Sequence, residues 1–249
     1  MNCKTMHILP IGKFIGGSIC LLSAMVLSSG CVTGSGQAMV NMTDGRLSSL
    51  QTAGNVHGQE AGETDADRWF RLASEQRDAQ IAANWYILAA AQGHVIAQRT
   101  LGWLYSEGMG VEQNDQEAVK WYRLAADSDD MDACFDLGWM YLHGRGVVKN
   151  DEEAAKWFRL AGDHGNLRAQ GYLGWMYQEG RGVQQDGAEA VKWLGMAAEQ
   201  GSSVAQYHLG IMYAQGRGVP QNKEEAQKWL QKASQQTRED MRKVVKNRR

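Results

Sequence analysis

Proline is nearly missing from this chain, with two residues in 249, which excludes collagen-like and polyproline architectures. Neither sign of charge dominates. Lys and Arg number 26 against 28 Asp and Glu, a net charge of −2, so the chain is no general polyanion binder and nucleic acid is not expected as a partner. Metal-ligand spacings are absent as well. His57, His94, His143, His164 and His208 do not recur at a common interval, and no CxxC, HxxxH or HExxH exists. No metal or other cofactor is expected, and no small-molecule substrate. Nor is there a nucleophile-elbow motif, and Gly108-Met109-Gly110 lacks the lysine of a phosphate-cradling loop. What the chain does have is 43% hydrophobic residues, enough for a sizeable core, and nine tryptophans.

The amino end reads as an address. Residues 1–13 carry only positive charge, and the apolar stretch Ile15 to Leu27 follows, at about 13 residues too short to span a bilayer. Residues 1–30 are therefore expected to be a secretory signal peptide. The sequence Leu27-Ser28-Ser29-Gly30-Cys31 resembles the lipobox of bacterial lipoproteins, although Ser28 stands where an aliphatic residue is usual. That resemblance implies lipidation of Cys31, with Val32 after it pointing to the outer membrane. Ordinary signal-peptidase cleavage nearby is the alternative. Residues 32–60 contain no aromatic residue and are rich in Gly, Ser, Thr, Asn and Gln, so 31–60 reads as a lipidated cysteine on a flexible tether with a mean reach of roughly 30 Å.

Beyond it the chain repeats. Trp85, Trp121, Trp157, Trp193 and Trp229 lie 36 residues apart, and Trp103, Trp139 and Trp175 form a second series with Ile211 at the fourth place. Gly102, Gly138, Gly174 and Gly210 keep step, as do Gly110, Gly146, Gly182 and Gly218, each followed by valine. Four copies run 97–132, 133–168, 169–204 and 205–240. A degenerate copy occupies 61–96, with Leu72-Ala73-Ser74-Glu75 in place of the glycine loop.

Each copy reads as two helices. Ala169, Leu173, Met176 and Tyr177 share one face of the first, and Gly180 suits the left-handed residue that ends it. The second opens on an Asn or Asp followed three residues later by Glu, predicting capping boxes at Asn114/Glu117, Asn150/Glu153, Asp186/Glu189 and Asn222/Glu225. Gly165 and Gly201 stop it, with Asp129 standing for glycine in one copy. Neither helix can bury its stripe alone, so the copies must stack, the Trp121 series filling the gaps between layers. The expected fold is all-α: an α-solenoid of tandem 36-residue helix-turn-helix repeats.

The pattern A-x-x-x-L-G-x-x-Y-x-x-G-x-G-V, then A-x-x-W, resembles the Sel-one-like repeat family, relatives of the tetratricopeptide repeat. The leader places the chain with its exported bacterial lipoproteins. The resemblance implies a non-enzymatic protein-protein interaction scaffold of the cell envelope. Its partners would be envelope or secretion-machinery proteins, with the membrane reached through Cys31, and its expected location is periplasmic, on the outer membrane. The alternative is a cell-wall or β-lactam binding or hydrolysing enzyme, as in a cysteine-rich branch of the family. The present chain departs from that branch. Once Cys3 and Cys20 leave with the signal peptide, Cys134 stands where the other copies have Gln98, Gln170 and Gln206, and a lone thiol makes no internal disulfide.

If Leu101 and Tyr105 face the core, Trp103 points about 160–200° away, and Trp139 and Trp175 repeat that placement. A tryptophan ladder on the first helices, with Arg99, Phe135 and Tyr207 one turn earlier in their copies, is the candidate protein-binding surface. The competing reading folds each ring sideways between first helices as further core. Residues 241–249 form a basic tail, and the stretch from Arg238 to Arg249, net +4, is expected to begin as a capping helix and then fray.

Overall fold

A computed structural model describes residues 63–247. The signal peptide, Cys31 and the tether to residue 60 lie outside the described residues. The described residues form ten helices: α1 (Asp65–Glu75), α2 (Ala79–Ala91), α3 (Val95–Glu107), α4 (Asp115–Ala126), α5 (Met131–His143), α6 (Asp151–Asp163), α7 (Leu167–Glu179), α8 (Gly187–Glu199), α9 (Ser203–Gln215) and α10 (Lys223–Asn247). There is no strand among the described residues. Each helix packs on those before and after it in sequence, and the pairs stack as an all-α solenoid.

The glycines account for much of this geometry. Gly108, Gly144, Gly180 and Gly216 end α3, α5, α7 and α9 at φ 67–68°, the left-handed region. Two residues on, Gly110 and Gly146 are excluded from bearing a side chain by more than their own positive φ. A Cβ on Gly110 would stand 2.0 Å from the Ala79 carbonyl oxygen, and one on Gly146 2.1 Å from that of Asp115. The loop of each copy is thus pressed on the first turn of the preceding copy's second helix. Within a copy, Gly102, Gly138, Gly174 and Gly210 leave room for Tyr122, Phe158, Leu194 and Leu230. Asp129, at φ 61°, takes the left-handed place that Gly165 and Gly201 hold in neighbouring copies.

Three expectations are corrected. Leu72 to Glu75 are not a loop but the last turn of α1, with Leu72 and Ala73 buried. The capping boxes of α4, α6, α8 and α10 are half boxes. The Asn114 side chain accepts from the Gln116 and Glu117 N–H groups at 3.1 Å, but its own N–H donates to the Tyr105 carbonyl at 2.9 Å. With that donor satisfied, Glu117 turns to Lys120, and Glu153, Glu189 and Glu225 likewise turn to Lys156, Lys192 and Lys228. Finally, the Trp121 series is not uniform. Trp85, Trp121 and Trp193 are buried, whereas Trp157 and Trp229 are only half-buried.

One contiguous buried core runs from Ala118 on α4 to Met212 on α9. Buried glutamines tie the copies together. The side-chain amides of Gln98, Gln170 and Gln206 donate to the carbonyls of Ala90, Gly162 and Ala198 in the last turn of the preceding helix, at 3.2, 3.0 and 3.0 Å. Cys134 occupies the same place as a fully buried thiol, pushed up to about 11 by burial and by neighbouring Asp130. The basic segment beyond Arg238 continues α10 as far as Asn247, and residues 248–249 lie outside the described residues.

Candidate protein-binding surface

The first helices α3, α5, α7 and α9 present one residue per copy from the second tryptophan series. Trp103 is 45% exposed, while Trp139 and Trp175 are half-buried. The difference has a local cause. Arg145 and Arg181, six residues after Trp139 and Trp175, lay their guanidinium groups over those rings, 5.4 and 4.9 Å from the centroids. Both arginines are fastened to the preceding copy, Arg145 to both Asp115 oxygens at 3.0 and 2.6 Å and Arg181 to Asp151 at 3.0–3.1 Å. The Trp139 ring also stacks on His143, centroids 4.1 Å apart. Trp103 has Met109 where the others have arginine, so its ring carries no such lid. The ladder therefore divides, with Trp103 an exposed aromatic and the other two partly packed sideways.

Phe135 is not part of the surface. At 1% exposure it lies against Phe158 and Tyr172, with Arg168 3.9 Å above its ring. Stacking of α7 on α5 covers it, a burial that the stripe of a single helix does not reveal. Arg99 is half-buried and held by Asp130 at 3.0 Å and Asp132 at 3.7 Å. Tyr207 is exposed on α9 at 54%.

Two hollows flank Trp175. One, about 330 Å³ between α5 and α7, is lined by Leu142, His143, Lys149, Tyr172, Trp175 and Arg181. The other, about 360 Å³ between α7 and α9, has Leu167, Gly171, Trp175, Leu194, Val204 and His208 in its wall. Tyr172, Val204 and His208 escape a reading confined to the tryptophans. The available signal was the column Arg99, Phe135, Gly171, Tyr207, in which one member has no side chain at all.

Asp136, on α5, is the most perturbed carboxyl of this region. Burial pushes it up to about 6, against the pull of Arg168 and Arg99. Among the described residues no group of His, Cys, Asp and Glu is placed to hold a metal ion, and no helix is long and apolar enough to cross a membrane. The arrangement offers aromatic and cationic groups for contact.

A solenoid of helix pairs carrying an aromatic face is the architecture of a repeat-built interaction protein. The Sel1 repeat matches residues 73–94, 95–130, 132–166, 167–202 and 203–237, and the chain belongs to the Sel1 repeat family. It is similar to the crystal structure of a Sel1 repeat protein from Oxalobacter formigenes, at 32% identity over 77% of this chain and 82% of that one, with a TM-score of 0.68. It is similar also to c5321, a protective antigen of uropathogenic Escherichia coli strains displaying an SLR fold. There the identity is 34%, over 78% of this chain and 41% of that one, with a TM-score of 0.69. No curated protein matches the chain. Sel1 repeat proteins are generally protein-interaction scaffolds, and the fold is typically non-catalytic.

Proposed function

We propose that this protein is a non-enzymatic docking scaffold of the bacterial cell envelope, exported by its leader and held on the periplasmic face of the outer membrane through lipidated Cys31. The observation that carries the reading is the face of α3, α5, α7 and α9, where exposed Trp103 and Tyr207 accompany two open hollows. Large amphipathic rings at such places dominate the energetics of protein interfaces. The partners that fit this reading are envelope or secretion-machinery proteins.

The test has two arms. Captured from solubilised envelopes, the full chain should retain a defined partner that is lost on Trp103→Ala, a change expected to leave melting nearly unaltered because the ring is exposed. Labelling with radioactive palmitate should mark the wild-type protein and not Cys31→Ser. Hydrolysis of nitrocefin or muropeptides by the purified protein, abolished by a single polar substitution, would overturn the scaffold reading in favour of an enzyme. Absence of lipid on Cys31 would remove the anchor and leave a soluble exported protein.

A further inference from the structure

The hollow between α7 and α9 has a counterpart one copy earlier, and the counterpart is full. Phe135 on α5 sits against Phe158, Tyr172 and Arg168. Moved forward by one 36-residue period, those four positions become Gly171, Leu194, His208 and Val204. All four are in the wall of the α7–α9 hollow. A Cβ placed on Gly171 would meet nothing within 4 Å. The repeat therefore builds the seat for an aromatic ring at this joint and omits the ring. Val204, 67% exposed, is the aliphatic rim left uncovered.

We propose that this vacant seat receives a phenylalanine or tyrosine side chain presented by a partner protein, resting on Leu194 and Val204 and edged by His208 and Trp175. The inference deepens the scaffold reading and rests on it for the source of the ring. Three features point to that occupant. The seat matches in register a place that holds phenylalanine in the same fold. Neither the tether nor the last two residues can supply the ring, since residues 31–62 contain no aromatic residue and residues 248–249 are both arginine, and Phe14, the one Phe, Tyr or Trp ahead of residue 63, belongs to the expected signal peptide. No acidic residue lines this hollow or its neighbour, and while Arg181 and Arg168 are already held by Asp151 and Asp136, Lys149 stands in the neighbouring wall, so a carboxylate flanking the partner's aromatic residue would be favoured there.

The experiment uses the full chain with N-acetylphenylalaninamide as probe and N-acetylalaninamide as control, followed by NMR at the amides of Gly171, Val204 and His208. Dose-dependent shifts confined to these positions with the aromatic probe alone are the expected result. Gly171→Phe, which supplies the missing ring from the chain itself, is expected to raise the melting temperature and to weaken the probe by more than about tenfold. Gly171→Ala controls for helix propensity and should bind the probe as the wild type does. The proposal is overturned if the phenylalanine probe leaves these amides unmoved, or if Gly171→Phe folds yet binds the probe unchanged. A Gly171→Phe that fails to fold shifts the decision to the wild-type titration and Gly171→Ala, which suffice. If the wild type self-associates through the seat, seen as a dimer in sedimentation that Trp103→Ala or Tyr207→Ala dissolves, a second copy is the occupant and the partner assignment falls. Partner capture that survives a folded Gly171→Phe would sink this inference while leaving the scaffold reading intact; probe binding without any captured partner would do the reverse.

Discussion

The Arg181 guanidinium lies 4.9 Å from the centre of the Trp175 ring while it grips Asp151 thirty residues earlier. One side chain thus fixes an aromatic residue of its own copy and joins that copy to the previous one. Arg217 repeats the position of Arg181, but Gly187 and Ile211 replace the aspartate and the tryptophan, so the last joint has no such fastening. Replacing Arg181 by alanine is expected to cost about 0.5–2 kcal/mol, since the pair is partly exposed and the ring contact adds a similar amount. Arg217→Ala should be near neutral. Urea unfolding of the two variants checks the contrast.

The tryptophan column makes a graded series. Trp193 is 2% exposed and its ring reaches Gly162 of the preceding layer, so Trp193→Ala should cost about 3–5 kcal/mol by leaving a cavity. Trp157 is half-buried, with the neighbouring Phe158 occupying the deep position, and Trp157→Ala should cost about half as much. Equal losses in thermal melts would contradict this division.

Asp136 makes stability fall with rising pH over a limited window. Its folded value of about 6 lies above the ordinary aspartate value of 3.8, so the native state holds the proton more tightly. Stability from this group is full below about pH 4 and is lost as pH rises through 6. Asp136→Asn should therefore stabilise the protein at pH 7 by about 1–2 kcal/mol, allowing for partial screening and the facing charges of Arg168, Arg99, Asp132 and Asp130, and should change little at pH 4. Melting curves of both proteins at the two pH values decide it.

Gln170 bonds at both ends, its amide to the Gly162 carbonyl and its oxygen to the Gln200 amide. Gln170→Ala should cost about 1 kcal/mol through loss of these two hydrogen bonds, since the Gly162 carbonyl keeps the Gly165 N–H at 3.0 Å. Native-state hydrogen exchange should show the loss concentrated at the joint between α6 and α7.

Much of the fold is legible in the sequence because repetition amplifies weak local signals. A single Gly110 is ambiguous, but four glycines in register, each needing both a positive φ and an empty Cβ position, mark one structural joint. Asp129 could be read as a left-handed residue only because Gly165 and Gly201 stand in its column. What periodicity within one helix does not show is burial from the flank. Phe135 lies off the stripe of Ala133 and Leu137 and is covered by Tyr172 of the next copy, so it reads as surface until α7 is in place. The capping glutamates mislead for the same reason. The carbonyl of Tyr105 reaches the Asn114 N–H from another helix and takes the role expected of Glu117.

The close contact between each second loop glycine and the carbonyl of the previous copy gives the seams between described units the same backbone contact, whatever side chains flank it. An in-frame duplication or loss of 36 residues would recreate the same seam, so the array can change length without redesign. Lineages could then lengthen or shorten the surface offered to other proteins while each individual unit stays under unchanged selection.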